Sequence, residues 1–147
     1  MRIRPRHAHD TPEINYWWVA VFAVTFTALC WILYTPATAN TSGLLTNLLS
    51  HIDELIPALN ISETSGADKI LHSSAFATVT AAALLTGWRQ NIVIGLSAMH
   101  AGLSELIQAY FIPGRTGDIL DIAADVAGIL IAWLIVALLV KKEKTNE

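Results

Sequence analysis

The residues of this chain that could do chemistry sit where charge is expensive. Asp68, Lys69 and His72 open one apolar run, Glu105 and Gln108 lie inside a second, and Arg115, Asp118, Asp121 and Asp125 lead into a third. On an insertion scale an Asp near the bilayer centre costs roughly 2.5–3.5 kcal/mol, so ionisable groups within spans normally build a site. Helical spacing collects these groups onto shared faces. Asp68 and His72 are four apart, and Asp118, Asp121 and Asp125 repeat at three and four. Ser97, His100, Ser104 and Gln108 line up with Glu105 at the edge of their face. A histidine with carboxylates can shuttle protons or hold one divalent ion. His72, Glu105 and Asp121 are the set expected for the ion, although no His-x-x-x-His spacing supports it. His100 is read instead as a hydrogen-bonding histidine between helices.

The charges in this set do not balance. Asp68, Glu105, Asp118, Asp121 and Asp125 face only Lys69, Arg115 and, if protonated, His72. Buried like charges cannot all stay ionised. Protonated carboxyls, a charged His72, a bound metal or a cationic group on a ligand must make up the difference. Two of the residues have plainer readings. Asp118 could serve only as the N-cap of a helix, and Arg115 is either the counter-charge of the acids or a cation at the level of the phosphates.

The elements that must position these residues are membrane spans. The chain has 147 residues, 54% hydrophobic and 14% charged, with a mean hydropathy of +0.50. That charged fraction is low for a soluble domain. A single cysteine excludes a disulfide framework and a thiolate metal cluster, and no basic tract suits nucleic acid. Residues 1–16 read as a tail and 17–34 as the first span, with aromatic residues at both ends. Ala37-Thr38-Ala39 after an apolar stretch also fits a cleaved signal, but 18 apolar residues exceed the usual ~7–15, which favours an anchor. Residues 35–68 form a polar segment with an interfacial helix at about 43–59. Spans are expected at 70–88, 92–111 and 119–140, the last two joined by the turn Ile112-Pro113-Gly114-Arg115-Thr116-Gly117-Asp118. Residues 141–147 form a second tail.

Four spans place both termini on the side of Arg89. That side carries Arg2, Arg4, Arg6, Arg89, Lys141, Lys142 and Lys144, seven of the nine Lys and Arg. Positive residues mark the cytoplasm. The expected protein is therefore an all-α, integral membrane four-helix bundle in the inner (cytoplasmic) membrane, with both termini cytoplasmic. At ~1.5 Å per residue, Glu105 lies roughly 9 Å inward of Phe111 and Asp125 roughly 9 Å inward of Ile119. The two acids should meet at one depth in an outward-facing polar pocket. Small residues such as Ala81, Ala82, Gly95, Gly102, Ala124 and Gly128 would let the helices approach closely.

Asp68-Lys69-x-x-His72, Glu105-x-x-Gln108, and Pro113-Gly114-Arg115 leading to Asp121-x-x-x-Asp125-x-x-Gly128 together resemble the VanZ-like family. The resemblance spans about residues 66–135. The family often carries Asn where this chain has Asp125, which deepens the charge imbalance. The resemblance implies a small multi-span protein and, from the founding member, an association with low-level resistance to teicoplanin-type glycopeptides. It implies no reaction.

Three functions fit these residues. The first is a factor that binds a membrane lipid or lipid-linked cell-envelope component through Asp68, Lys69, His72, Glu105, Gln108, Arg115, Asp118, Asp121 and Asp125. The second is an intramembrane enzyme using His72, Glu105 and Asp121 as acid–base groups or metal ligands. The third is a small proton-coupled transporter subunit, against which stand the few polar residues toward the inner face. The pattern calls for no cofactor, leaves a divalent metal open, and says nothing of oligomeric state.

Overall fold

The computed structural model describes residues 13–36, 50–51, 54 and 67–145, with the side chains of 67, 68 and 143–145 outside that description. It is all-helical: α1 spans Tyr16–Tyr34, α2 Ala67–Leu85, α3 Gln90–Phe111 and α4 Ile119–Thr145. No strand occurs among the described residues. Three helices, α1, α3 and the Ile119–Lys142 part of α4, are long and apolar enough to cross a bilayer, whereas the apolar stretch of α2 is the shorter Lys69–Leu85. The expected interfacial helix at 43–59 lies outside the described residues apart from Ser50, His51 and Glu54, which are helical and exposed. Lys141–Lys144 end the hydrophobic span but not the helix, which continues to Thr145. Lysine is a good helix former, so charge stops the span without unwinding the backbone.

Local chemistry sets the helix ends. The Asn15 side chain caps α1 by accepting from the N–H groups of Trp17 and Trp18. The Asn15 N–H in turn donates to the Thr86 carbonyl at 2.9 Å, tying the start of α1 to the end of α2. Gly87 follows with φ of +90°, and a Cβ there would lie 2.7 Å from the Glu13 carbonyl oxygen. Only glycine meets both demands without strain.

The core cluster, Leu29, Leu33, Phe76, Val79, Ala101 and Ile129, draws on all four helices. His100 fills the gap between them. Its Nε2 lies 3.1 Å from the Tyr34 hydroxyl, and the rings of Phe26 and Phe76 stand 5.3 and 5.5 Å away. The expected role of a hydrogen-bonding histidine is thus the one it fills. Many large apolar side chains, among them Leu130, Ile131, Leu134, Ile135 and Leu138 of α4, face outward, as suits helices solvated by lipid rather than water.

The most intimate helix contact is between α2 and α4. A Cβ on Gly128 would fall 2.1 Å from the backbone oxygen of Ser73, whereas Gly95 and Gly102 have open space around them. Of the small residues picked out for close packing, Gly128 is where a backbone meets another backbone. That contact fixes the neighbours of Ser73 and Gly128, namely His72 on α2 and Asp125 on α4.

Candidate functional site

The polar residues gather where α2, α3 and α4 meet, at the end of the bundle that carries the 112–118 connection. α2 supplies Lys69 and His72, one turn apart. α3 supplies Glu105 and Gln108, also one turn apart, and α4 supplies Asp121 and Asp125. The connection into α4 is pressed onto α3 at Gly117, where a Cβ would meet the Glu105 carbonyl oxygen at 2.7 Å. The close approach carries Asp118 to Glu105, so that the Asp118 N–H donates to Glu105 Oε2 at 2.9 Å.

The arrangement has two layers. In the shallower one, Lys69 Nζ donates to Asp118 Oδ2 at 3.1 Å and to Asp121 Oδ1 at 3.0 Å. Asp118 also caps α4, its Oδ1 accepting from the Leu120 N–H at 2.9 Å. These two bonds hold the Asp118 carboxyl below the usual carboxylate range, the Leu120 N–H contributing most and Lys69 next. Asp118 is therefore both the N-cap and a charge partner.

The deeper layer is built from His72, Glu105, Gln108 and Asp125. Asp125 is fully buried, and Glu105 and Gln108 are each 3% exposed. His72 Nδ1 lies 3.4 Å from Asp125 Oδ1, within ion-pair range. The two atoms do not make a well-formed hydrogen bond: His72 Nδ1, Glu105 Oε1, Gln108 Nε2 and both carboxylate oxygens of Asp125 are buried without a hydrogen-bond partner among the described residues. Buried polar groups are normally satisfied, and each exception calls for a cause. His72, Glu105 and Asp125 each present one ligand-type atom, and the three atoms lie within 4.8 Å of one another.

Of the expected metal set, His72 and Glu105 come together, but Asp121 does not join them as a ligand group. It belongs to the Lys69 layer, and Asp125, one turn further along α4, takes the third place. The equal depth expected for Glu105 and Asp125 is what brings them together. Arg115 is tied to the end of α1: its Nε donates to the Thr35 carbonyl at 3.3 Å and its Nη2 to the Ile32 carbonyl at 2.9 Å. It caps the carboxyl end of α1, where the last carbonyls of a helix lack partners. Asp68 opens α2, but its side chain lies outside the described residues. Gly117 was legible only as a turn glycine, and its role in pressing Asp118 onto Glu105 has no one-dimensional signal.

A separate cavity of about 670 Å³ lies between α1, α2 and α3 and carries none of the acids. Phe22, Phe26, Leu29 and Phe76 line it, with His100 and Arg89 also contributing to its wall. It is a greasy groove, separate from the small buried polar cluster. His72 stands one turn along α2 from Phe76, so groove and cluster are neighbours.

The helices and the ordered acid-bearing motifs point to one family, and the VanZ/LLP1 family model matches residues 17–140. The chain belongs to the VanZ/LLP1 family. No curated protein and no solved structure matches it. The family match takes in α1, α2, α3 and most of α4, so the whole polar cluster of this VanZ-like chain lies inside the shared region.

Proposed function

We propose that this VanZ-like protein binds a membrane lipid or a lipid-linked cell-envelope component, seating a polar head group at His72, Glu105, Gln108 and Asp125. The observation that carries this reading is the set of five buried polar atoms without partners, drawn from three helices. Leaving a buried polar group unpaired costs about 1–3 kcal/mol, and more when it is charged. Such a cost is expected where a ligand supplies the missing bonds. The neighbouring groove lined by Phe22, Phe26, Leu29 and Phe76 offers apolar surface of the kind a hydrocarbon chain would cover. The distribution of Lys and Arg favours the inner membrane with both termini inside and the cluster toward the outer face. A bound envelope component on that side would connect the protein to glycopeptide susceptibility, as the family resemblance implies.

Native mass spectrometry of the purified protein tests this. A lipid adduct of one head-group class is expected on the wild type and should be lost in Asp125→Asn and Glu105→Gln. Adducts of mixed lipids, unchanged by both substitutions, would sink the reading.

A second reading is an intramembrane enzyme, favoured by the 3.4 Å approach of His72 Nδ1 to Asp125 Oδ1. A histidine oriented by a carboxylate is a common acid–base pair. Chemical change of the co-purifying lipid on incubation, abolished in His72→Ala, would move the assignment to this class.

A further inference from the structure

We infer that His72, Glu105 and Asp125 hold one divalent cation, of the zinc or manganese type, and that this ion receives a phosphate-bearing head group. The metal part stands on the three side chains alone, and the head-group part rests on the binding reading above.

The geometry leads to an ion. Three atoms no more than 4.8 Å apart share a point within about 2.8 Å of each (4.8/√3). Zinc takes nitrogen and carboxylate oxygen at about 2.0–2.2 Å, so a contraction of under about 1 Å closes the site. The donor set selects the metal class. An imidazole with two carboxylates suits zinc or manganese better than the all-oxygen ions magnesium and calcium.

The electrostatics agree. Two buried carboxylates side by side are strongly unfavourable when both are ionised, and a divalent cation cancels both charges in place. It would also supply the partner that Glu105 Oε1 and the Asp125 oxygens lack. Lys69 is committed to Asp118 and Asp121 in the layer above.

Two further features give the head group its sign. Three protein donors leave at least one position open on a four-coordinate ion. Gln108 Nε2 is a buried donor without a partner among the described residues, one turn from Glu105 on α3. A free donor beside a bound cation matches an acceptor-rich anion such as a phosphate. Without the ion, the same anion would meet Glu105 and Asp125 and be repelled.

The test uses the full chain in detergent, stripped with chelator and titrated with MnCl2 while free Mn2+ is read by electron paramagnetic resonance. One equivalent should bind, ZnCl2 should compete, and Asp125→Asn and Glu105→Gln should each weaken binding at least tenfold while retaining helical circular dichroism. If either variant fails to fold, the wild-type titration decides alone. Absence of a stoichiometric site there overturns the metal inference. In parallel, retention of phosphatidylglycerol over a phosphate-free monoglucosyl diacylglycerol is measured by native mass spectrometry with and without chelator. Loss of phosphatidylglycerol on chelation supports the whole inference. Lipid retained with no metal site overturns the ion and leaves the binding reading standing. Metal bound with no preference for the phosphate-bearing lipid keeps the ion and overturns the head-group part of the inference.

Discussion

Two successive pairs join α2 to α4, one turn apart, and they are built differently. The shallower pair, Lys69 with Asp121, is a salt bridge of 3.0 Å, and Lys69 reaches Asp118 as well. The deeper pair, His72 with Asp125, stands at 3.4 Å without a well-formed hydrogen bond. The side chains of Lys69 and Asp118 are 31% and 39% exposed, whereas Asp125 is fully buried. Lys69 thus has carboxylate partners where water or head groups could have helped, and the deeper atoms lack partners among the described residues where they could not. A protein selected only for stability would show the opposite order, because an unmet group costs more as the surroundings become less polar. The shallow pair reads as a clamp and the deep one as a site held open by that clamp.

The largest effect should come from separating the two helices that bear both pairs. Replacing Gly128 with Leu drives a side chain into the Ser73 backbone, where a Cβ alone would sit at 2.1 Å. Backbone cannot move aside as a flexible side chain does, so the helices must part. Overpacking commonly costs about 1–3 kcal/mol and sometimes more, and this clash belongs at the upper end or beyond. Thermal unfolding in detergent should show a large fall or no folded protein. A melting temperature within a degree or two of wild type would mean that α2 and α4 do not meet as described.

Next in size is the contrast between the two pairs. Lys69→Met removes the cation that, among the described residues, holds Asp118 and Asp121, and leaves Asp121, 8% exposed, without it. Breaking a fully buried pair costs about 3–5 kcal/mol. Partial exposure of Lys69 brings the expected loss down to about 1–3 kcal/mol. In protein stripped of divalent ions, Asp125→Asn should go the other way, unchanged or more stable, because it removes a buried charge with no hydrogen bond to a described residue to lose. Equal destabilisation by both substitutions would erase the distinction between clamp and site.

Much of this bundle could be read from one dimension, and the reasons for success and failure are physical. Apolar runs of span length mark α1, α3 and α4 because lipid demands them. The meeting of Glu105 with Asp125 followed from their equal distance from a shared turn. What could not be read was which acid would take Lys69. Asp121 and Asp125 lie on one stripe of α4, and the choice between them depends on the axial offset of α2. That offset is set by the contact of Gly128 with Ser73, a tertiary fact. The partners of Arg115 were hidden for a related reason. A cation in a polar turn looks available to acids nearby in sequence, yet the carbonyls of α1, some eighty residues away, are what it reaches.

The Arg115 contact gives the third effect. Arg115→Ala should loosen the carboxyl end of α1, with a loss of about 1–2 kcal/mol given that bonds from a charged donor contribute roughly 1.5–3 kcal/mol and that this one is partly exposed. Amide hydrogen exchange should rise in the last turn of α1 and leave the pairs between α2 and α4 untouched. A change confined to the acid cluster, with α1 unaffected, would restore Arg115 to the site.

The smallest effect tests the shallow layer by charge alone. Asp118→Asn keeps the N-cap, since asparagine caps as well as aspartate, but removes the charge that Lys69 meets. The Leu120 N–H and Lys69 hold the Asp118 carboxyl below its ordinary range, which fixes the sign. A folded-state pKa lower than the unfolded one contributes stability that is complete above the unfolded value. It is lost as pH falls through the folded value. The melting temperature of wild type should therefore exceed that of Asp118→Asn by a constant margin from pH 7 down to about 5. The margin should shrink once pH passes below the ordinary aspartate value of about 4. A margin that persists undiminished at pH 2 would show that something other than the ionised carboxylate sustains it, and the clamp would then rest on Asp121 alone.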